Sequence, residues 1–334
     1  VPRWLGSSGL ALISTGDKFA MHEHTPTPLL PRRLCLARMG RLGLASALVV
    51  AGCSSGQGGR AASDGQVLHE DADLPRQVPS PRSYPMAWVL SSGGPRGFVH
   101  VGVLKALHQL GLKPDLVVGS SVGALVGCLV AAGVDMAQME SLALEASMGS
   151  LFRLNLLGEG WISGAGLADL VNSLLDGKRL QQLPTDFAAV ALAQQSEQLT
   201  AFNWGNAGLA VQAACAVEGR LAPVDIAGQR YVDADRLSPL PVRLAHALGA
   251  QRVLAIDASA HEQLAPASAE RFRESDARKR AMTRPDAALA QLVLHPDIGY
   301  YTSVSRPYRE RAIQVGYEST LGQADSLRAL HQQP

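Results

Sequence analysis

From residue 86 onward, short apolar runs alternate with stretches of helical period. Met86-Ala87-Trp88-Val89-Leu90 is a continuous apolar run with the length of a buried strand. It opens into the polar and glycine-rich run Ser91-Ser92-Gly93-Gly94-Pro95-Arg96-Gly97. Phe98, Val101, Val103, Leu104, Leu107 and Leu110 then recur at helical spacing. Leu116-Val117-Val118 predicts a second strand, and Ala124 to Ala132 predicts a buried helix. Further along, Ala227 to Val232 reads as a hairpin, Pro241 to Leu248 as a helix and Val253 to Asp257 as a strand. Strands alternating with helices imply an α/β domain in which successive strand-to-helix loops emerge at one edge of a parallel sheet.

Upstream the texture differs. Residues 1–20 read as no structural element; they are either translated sequence ahead of Met21 or an extension from a non-standard start at Val1. Arg32, Arg33, Arg38 and Arg41 precede a short apolar stretch, Leu42 to Ala51, too short for a stable bilayer-spanning helix but suited to a signal-peptide core. Val50-Ala51-Gly52-Cys53 resembles the lipobox of bacterial lipoproteins, which implies lipidation of the Cys53 thiol. The alternative is an ordinary secretory signal with a stray cysteine, or a buried helix. Ser54 follows the cysteine, and in such lipoproteins a residue of this kind permits transfer to the outer membrane. Residues 54–84, rich in Ser, Gly, Gln, Asp and Pro, read as a flexible tether. The expected organisation is therefore a leader over 1–53, a tether over 54–84 and a catalytic domain over 85–330.

Composition narrows the function classes. Hydrophobic residues make up 47% and charged residues 18% of the 334, which suits a globular domain with a sizeable core. A formal net charge of +1, the lack of a basic stripe and 5% aromatics disfavour nucleic-acid binding. Cys35, Cys53, Cys128 and Cys215 form no Cys-x-x-Cys pair, so neither a zinc site nor a thioredoxin-like motif is indicated. Cys128 and Cys215 lie in apolar runs and read as buried small side chains. No cofactor motif is present: the first glycine loop lacks a P-loop lysine–serine pair, and it begins with Ser92 where a dinucleotide fingerprint needs glycine.

Two loops carry the candidate chemistry. The run 91–97 joins a strand to a helix, so its backbone N–H groups are placed to stabilise a developing negative charge. Taken alone it is also consistent with a phosphate cradle or a plain turn. Gly119-Ser120-Ser121-Val122-Gly123 is a Gly-x-Ser-x-Gly run between a strand and a buried helix, the context a nucleophile elbow requires. Ser121 is the central serine, and Ser120 fills an unconstrained position. Gly119 and Gly123 flank it because a sharp turn leaves no room for side chains. Both loops follow consecutive strands and can meet around one carbonyl.

A serine nucleophile needs a proton acceptor. In a triad of Ser, acid and His order the histidine would be His246, His261 or His295, with His261, just after a strand, the best placed. A serine–aspartate dyad is the other arrangement.

Together these runs resemble the patatin-like phospholipase family, from about Trp88 to Asp257 with a looser tail to about residue 317. Leu90 to Leu104 is similar to that family's oxyanion loop and following helix, and Gly119 to Gly127 to its nucleophile elbow. Tyr231-Val232-Asp233-Ala234-Asp235, with Ser238-Pro239-Leu240-Pro241-Val242 after it, looks like its aspartate motif. The resemblance implies a three-layer α/β fold with a mostly parallel central sheet and helices on both faces. It implies a serine hydrolase of lipid acyl esters, with Ser121 as nucleophile, Asp233 as base, no histidine and no cofactor. The oxyanion donors would be the amides of Gly93, Gly94 and Ser92, with Arg96 as charge support or simply a solvated loop arginine. Read without the resemblance, Asp233 is a turn aspartate. With a reference pKa of about 3.9, a base there must be desolvated.

Several positions depart from the family's pattern. Ser92 replaces a glycine, Ala234 stands where glycine is usual, Asp235 stands where glycine or alanine is usual, and Glu218 occupies a usual proline position. If the turn at 234 needs a positive φ, alanine is strained there. A carboxylate at 235 raises the pKa of Asp233 by repulsion. These departures motivate a second reading, a catalytically weakened envelope lipoprotein that binds lipid or a protein partner through the same fold. Gly160-Trp161-Ile162-Ser163-Gly164 resembles a family element in which Ser163 caps a helix. Residues 262–290, with Arg271, Arg273, Arg278, Lys279 and Arg280, read as a helical excursion or surface loop with a solvated face. The expected setting is the bacterial cell envelope, lipid-anchored at Cys53 on the outer membrane and facing the periplasm, with a membrane lipid as substrate. Oligomeric state is not legible.

Overall fold

The computed structural model describes residues 73–80, 82–145, 147, 151, 153–154 and 162–332. The leader, Cys35, Cys53 and the tether up to residue 72 lie outside the described residues.

Strands β1 (Tyr84–Leu90), β2 (Leu116–Ser120), β5 (Asp186–Ala193), β6 (Gln198–Phe202), β7 (Val224–Ile226), β8 (Gln229–Asp233), β9 (Ala250–Ile256) and β10 (Leu292–Leu294) form one eight-stranded sheet. Its order is β10-β9-β1-β2-β5-β8-β7, with β6 also on β5. The pairs β10–β9, β9–β1, β1–β2 and β2–β5 are parallel; β6, β7 and β8 pair antiparallel. A small hairpin pairs β3 (Arg153–Leu154) with β4 (Ile162–Ser163).

The central strands are apolar on both sides because both sides are covered. Met86, Trp88 and Leu90 of β1 join one core cluster, while Ala87 and Val89 join another. The first cluster takes residues from α1 (Phe98–Gln109), α2 (Val122–Ala131), α3 (Met136–Glu145), α4 (Ala165–Leu174) and α5 (Ala207–Ala214). The second takes Val242 and Ala245 of α6 (Val242–Ala247) and Ala287 of α7 (Arg273–Ala287). The result is the three-layer arrangement the family resemblance implied.

Residues 73–80, expected in the tether, belong to the domain surface. Arg76 forms an antiparallel bridge with Trp204, Val78 N–H donates to Asn203 Oδ1 at 2.8 Å, and Asp73 pairs with Arg179. Alternating polar residues there gave no apolar signal, because the attachment is by hydrogen bonds. The tail packs back onto the domain: α8 (Arg306–Leu321) crosses α1 so closely that a Cβ at Gly102 would lie 1.9 Å from the Ile313 carbonyl oxygen. A final helix, α9 (Ala324–Gln332), brings His331 Nε2 to accept from Trp88 Nε1–H at 3.3 Å. The 262–290 region is helical, with a 3-10 turn at Glu262–Leu264 and another at Ala267–Phe272 before α7.

Candidate active site

The sheet topology brings two strand ends together. β2 covers one edge of β5 from Asp186 to Val190, and β8 covers the continuation of that edge from Ala191 to Ala193. β6 occupies the opposite edge over residues 189–193, so β2 and β8 share a side. They approach from opposite directions. Ser120 ends β2 opposite Val190, and Asp233 ends β8 opposite Ala191. Ser121 and Asp233 therefore meet where the two strands abut.

Ser121 adopts φ 53° and ψ −128°, a conformation L residues rarely hold. The surroundings enforce it. A Cβ at Gly119 would lie 2.3 Å from the Gly123 oxygen, one at Gly123 would lie 2.4 Å from the Leu90 oxygen, and one at Gly97 would strike Val122. These three glycines let β1, β2 and α2 converge at the turn. The Ser121 carbonyl accepts the amides of Ala124 and Leu125 and the buried Cys215 thiol at 3.1 Å, which fixes its backbone. Burial pushes the Cys128 thiol up to about 12 and the Cys215 thiol well above its ordinary value, so both stay protonated. Ser120 is fully buried and its hydroxyl has no partner among the described residues.

Asp233 is 4% exposed. Its Oδ1 accepts the Asp235 amide at 2.8 Å. The Ser121 hydroxyl acts on the carboxylate as a hydrogen-bonding neighbour, and Oδ2 is buried with no hydrogen-bond partner among the described residues. One carboxylate oxygen is thus left without a hydrogen bond among the described residues. Burial raises the Asp233 pKa to about 7; the Ser121 hydroxyl and the Asp235 amide oppose the rise, the Asp235 charge adds to it, and Lys279 opposes it. This is the desolvation the sequence required of a base.

Gly93 and Gly94 stand at the exposed rim of the first loop, Gly94 at φ +53°. Their amides form no hydrogen bond among the described residues, as expected at the start of a 3-10 turn. Ser92 requires a correction. Its amide donates to the Pro239 carbonyl at 2.8 Å and is not free for an oxyanion. Its side chain instead donates to Asp235. Arg96 donates to the Tyr300 carbonyl and lies over that ring, so it holds the 300 region against the loop.

The histidines lie elsewhere. His246 bonds the carbonyls of Ala250 and Leu289. His261 and His295 stack on each other at 3.7 Å and bond the carbonyls of His295 and Ser259 respectively. Among the described residues none of them bonds Ser121 or Asp233. A cavity of about 220 Å³ beside this pair is lined by Asp257, Lys279, Thr283 and His295, not by Ser121 or Asp233.

The sequence profile of the patatin-like phospholipase family matches residues 88–246. The match spans just under half of the 334 residues and contains both Ser121 and Asp233. Uncharacterized NTE family proteins of Mycobacterium bovis and Mycobacterium tuberculosis are 30% identical to the chain over 186 residues, 55% of this chain and 51% of theirs. The human patatin-like phospholipase domain-containing protein 6 is 27% identical over 186 residues, 53% of this chain and 14% of the relative. The chain thus spans about half the length of the mycobacterial relatives and a small part of the human one. VipD from Legionella pneumophila shares the fold, with a TM-score of 0.51 at 15% identity, covering 78% of this chain and 71% of that one.

The departures from the family pattern within residues 88–246 have local explanations. Ala234 is fully buried and sits outside the left-handed region, so alanine carries no strain there. Asp235 accepts from Lys279 Nζ at 2.7 Å, and the lysine holds its pKa below the ordinary value against the effect of burial. Glu218 is a surface residue that pairs with Gln194 and Arg236. Ser163 accepts the Ala165 amide at 3.2 Å at the start of α4, one position before the cap proper. Three contributors had no legible signal. His100, fully buried with its pKa lowered to about 4 by burial, bonds the Ser91 carbonyl at 2.9 Å. Ser91 Oγ accepts the Ala258 amide at 2.8 Å. Lys279, in a charged run read as a solvated face, reaches inward instead.

Proposed function

We propose that the chain is a serine hydrolase of lipid acyl esters working through a Ser121–Asp233 dyad. The observation that carries this reading is Asp233 beside Ser121: a buried carboxylate with one oxygen free and a pKa of about 7, next to a serine on a strained turn. The patatin-like domain supports the lipid ester as substrate class.

The chemistry follows from the geometry. Ser121 Oγ attacks the acyl carbonyl carbon as its proton passes to Asp233 Oδ2. The amides of Gly93 and Gly94 receive the oxyanion. Collapse expels the alcohol, which takes the proton from Asp233, and leaves an acyl-serine. Water then gives a proton to Asp233 and attacks the acyl carbon. Collapse of the second intermediate releases the fatty acid and returns the proton to Ser121. A base with a pKa near 7 balances the two demands, being ionised before attack and acidic enough to protonate the leaving alkoxide.

A panel of phospholipids, lysophospholipids and simple esters tests the reading. The wild type hydrolyses at least one class and Ser121→Ala hydrolyses none. Retained hydrolysis by Ser121→Ala overturns it. The proposal also places the protein at the bacterial envelope through a lipid on Cys53, a reading supported by the leader sequence alone. Incorporation of a clickable fatty acid that survives Cys53→Ala would contradict it.

A further inference from the structure

Asp235 joins three elements that the sheet does not join. The oxyanion loop leaves β1 and the base turn leaves β8, strands separated in the sheet by β2 and β5. Asp235 Oδ1 accepts from the Ser92 hydroxyl of that loop. It also accepts from Lys279 Nζ on α7, at 2.7 Å. Its own amide donates to Asp233 Oδ1 at 2.8 Å. Ser92 is 1% exposed, and its amide bond to Pro239 ties the loop to the same turn a second time.

Lys279 is set apart from the cations around it. Arg280 on the same helix pairs with Glu262 instead. α7 is held on both flanks, by Arg243–Asp286 from α6 and by Tyr300–Asp276. The lysine therefore projects from an anchored helix. The charged and titratable groups acting on Asp233 are Asp235 and Lys279, with the neutral Ser121 hydroxyl and Cys215 thiol beside them. A carboxylate at 235 without a cation would push the charge off Asp233.

We propose that Lys279 is a positioning residue for the reaction: through Asp235 it locks the turn bearing Asp233 to the loop bearing Gly93 and Gly94, and it cancels the carboxylate beside the base. This rests on the dyad reading above. Lys279 touches neither Ser121 nor Asp233 through a hydrogen bond among the described residues, so its effect runs through Asp235 and Ser92.

The test compares Lys279→Met, Lys279→Arg and the double variant Lys279→Met/Asp235→Asn with wild type, using a short-chain p-nitrophenyl ester. Lys279→Met lowers kcat about tenfold to a hundredfold with KM little changed, and moves the pH–rate midpoint upward by about one pH unit. Lys279→Arg restores most of kcat. The double variant returns the midpoint toward wild type, because the uncompensated carboxylate is gone. An unmoved midpoint in Lys279→Met, or a loss confined to KM, overturns the proposal. In the Ser121→Ala protein, carbon NMR of the Asp233 carboxyl reads the same midpoint without turnover. It rises on Lys279→Met if the coupling exists and stays put if it does not. Hydrolysis retained by Ser121→Ala sinks the dyad reading while leaving that coupling measurable, so the two failures are distinguishable.

Discussion

Ser121 and Asp233 meet because β2 and β8 abut head to head along one edge of β5, Ser120 opposite Val190 and Asp233 opposite Ala191. The pair is 112 residues apart in sequence, the difference of the two residue numbers. Their contact depends on a mixed sheet, since two parallel neighbours could not end at the same point from opposite directions.

The first prediction concerns pH. In the proposed dyad Asp233 must be ionised to accept the Ser121 proton, and its pKa is raised to about 7. The expected kcat/KM rises with pH and levels off above about 7. Asp233→Asn lowers it on the order of 10²-fold or more and abolishes that rise. A flat profile from pH 5 to 8 in wild type would contradict the assignment.

The same shift predicts stability. The folded pKa of about 7 exceeds the 3.8 of an ordinary aspartate, so the folded state binds the extra proton between those values. Ionised Asp233 therefore costs stability above about pH 7, and the cost fades as pH falls toward 4. Asp233→Asn is expected to raise Tm at pH 8, by an amount equivalent to a few kcal/mol at most, and to leave it nearly unchanged at pH 4. Thermal melts at the two pH values check this.

Much of the site was legible because steric need leaves marks in sequence. Gly119 and Gly123 mark the turn at Ser121, since any Cβ there meets backbone. The strand before and the helix after gave the elbow its context. Asp233 was legible only through the family resemblance; its local pattern is that of a turn. The Ser92–Asp235–Lys279 contact was not legible, because it links residues on three separate elements. Taken singly, each looked like a lapse from pattern or a solvated charge. The amide of Ser92 was misassigned for a related reason: the loop predicts free N–H groups in general, and only the packing of Pro239 decides which one is taken.

The elbow itself gives a third prediction. Gly123→Ala places a methyl 2.4 Å from the Leu90 oxygen, a backbone atom that cannot turn aside. The expected result is loss of soluble protein or a lowered Tm, with ester hydrolysis lost in whatever folds. Wild-type Tm and activity in this variant would contradict the tight β1–α2 approach.

A fourth prediction separates dyad from triad. His261 stacks on His295 and bonds its carbonyl, away from Ser121. His261→Ala is expected to keep kcat/KM within a few-fold of wild type. A loss on the order of 10⁶-fold in kcat, the scale of a missing triad histidine, would restore the histidine.

The most direct measurement maps the adduct of a fluorophosphonate probe by mass spectrometry in wild type, Ser121→Ala and Asp233→Asn. The expected result is one adduct, on Ser121, absent from Ser121→Ala and formed far more slowly in Asp233→Asn. An adduct on another residue, or labelling of Ser121 at the wild-type rate without the Asp233 carboxylate, would contradict the dyad.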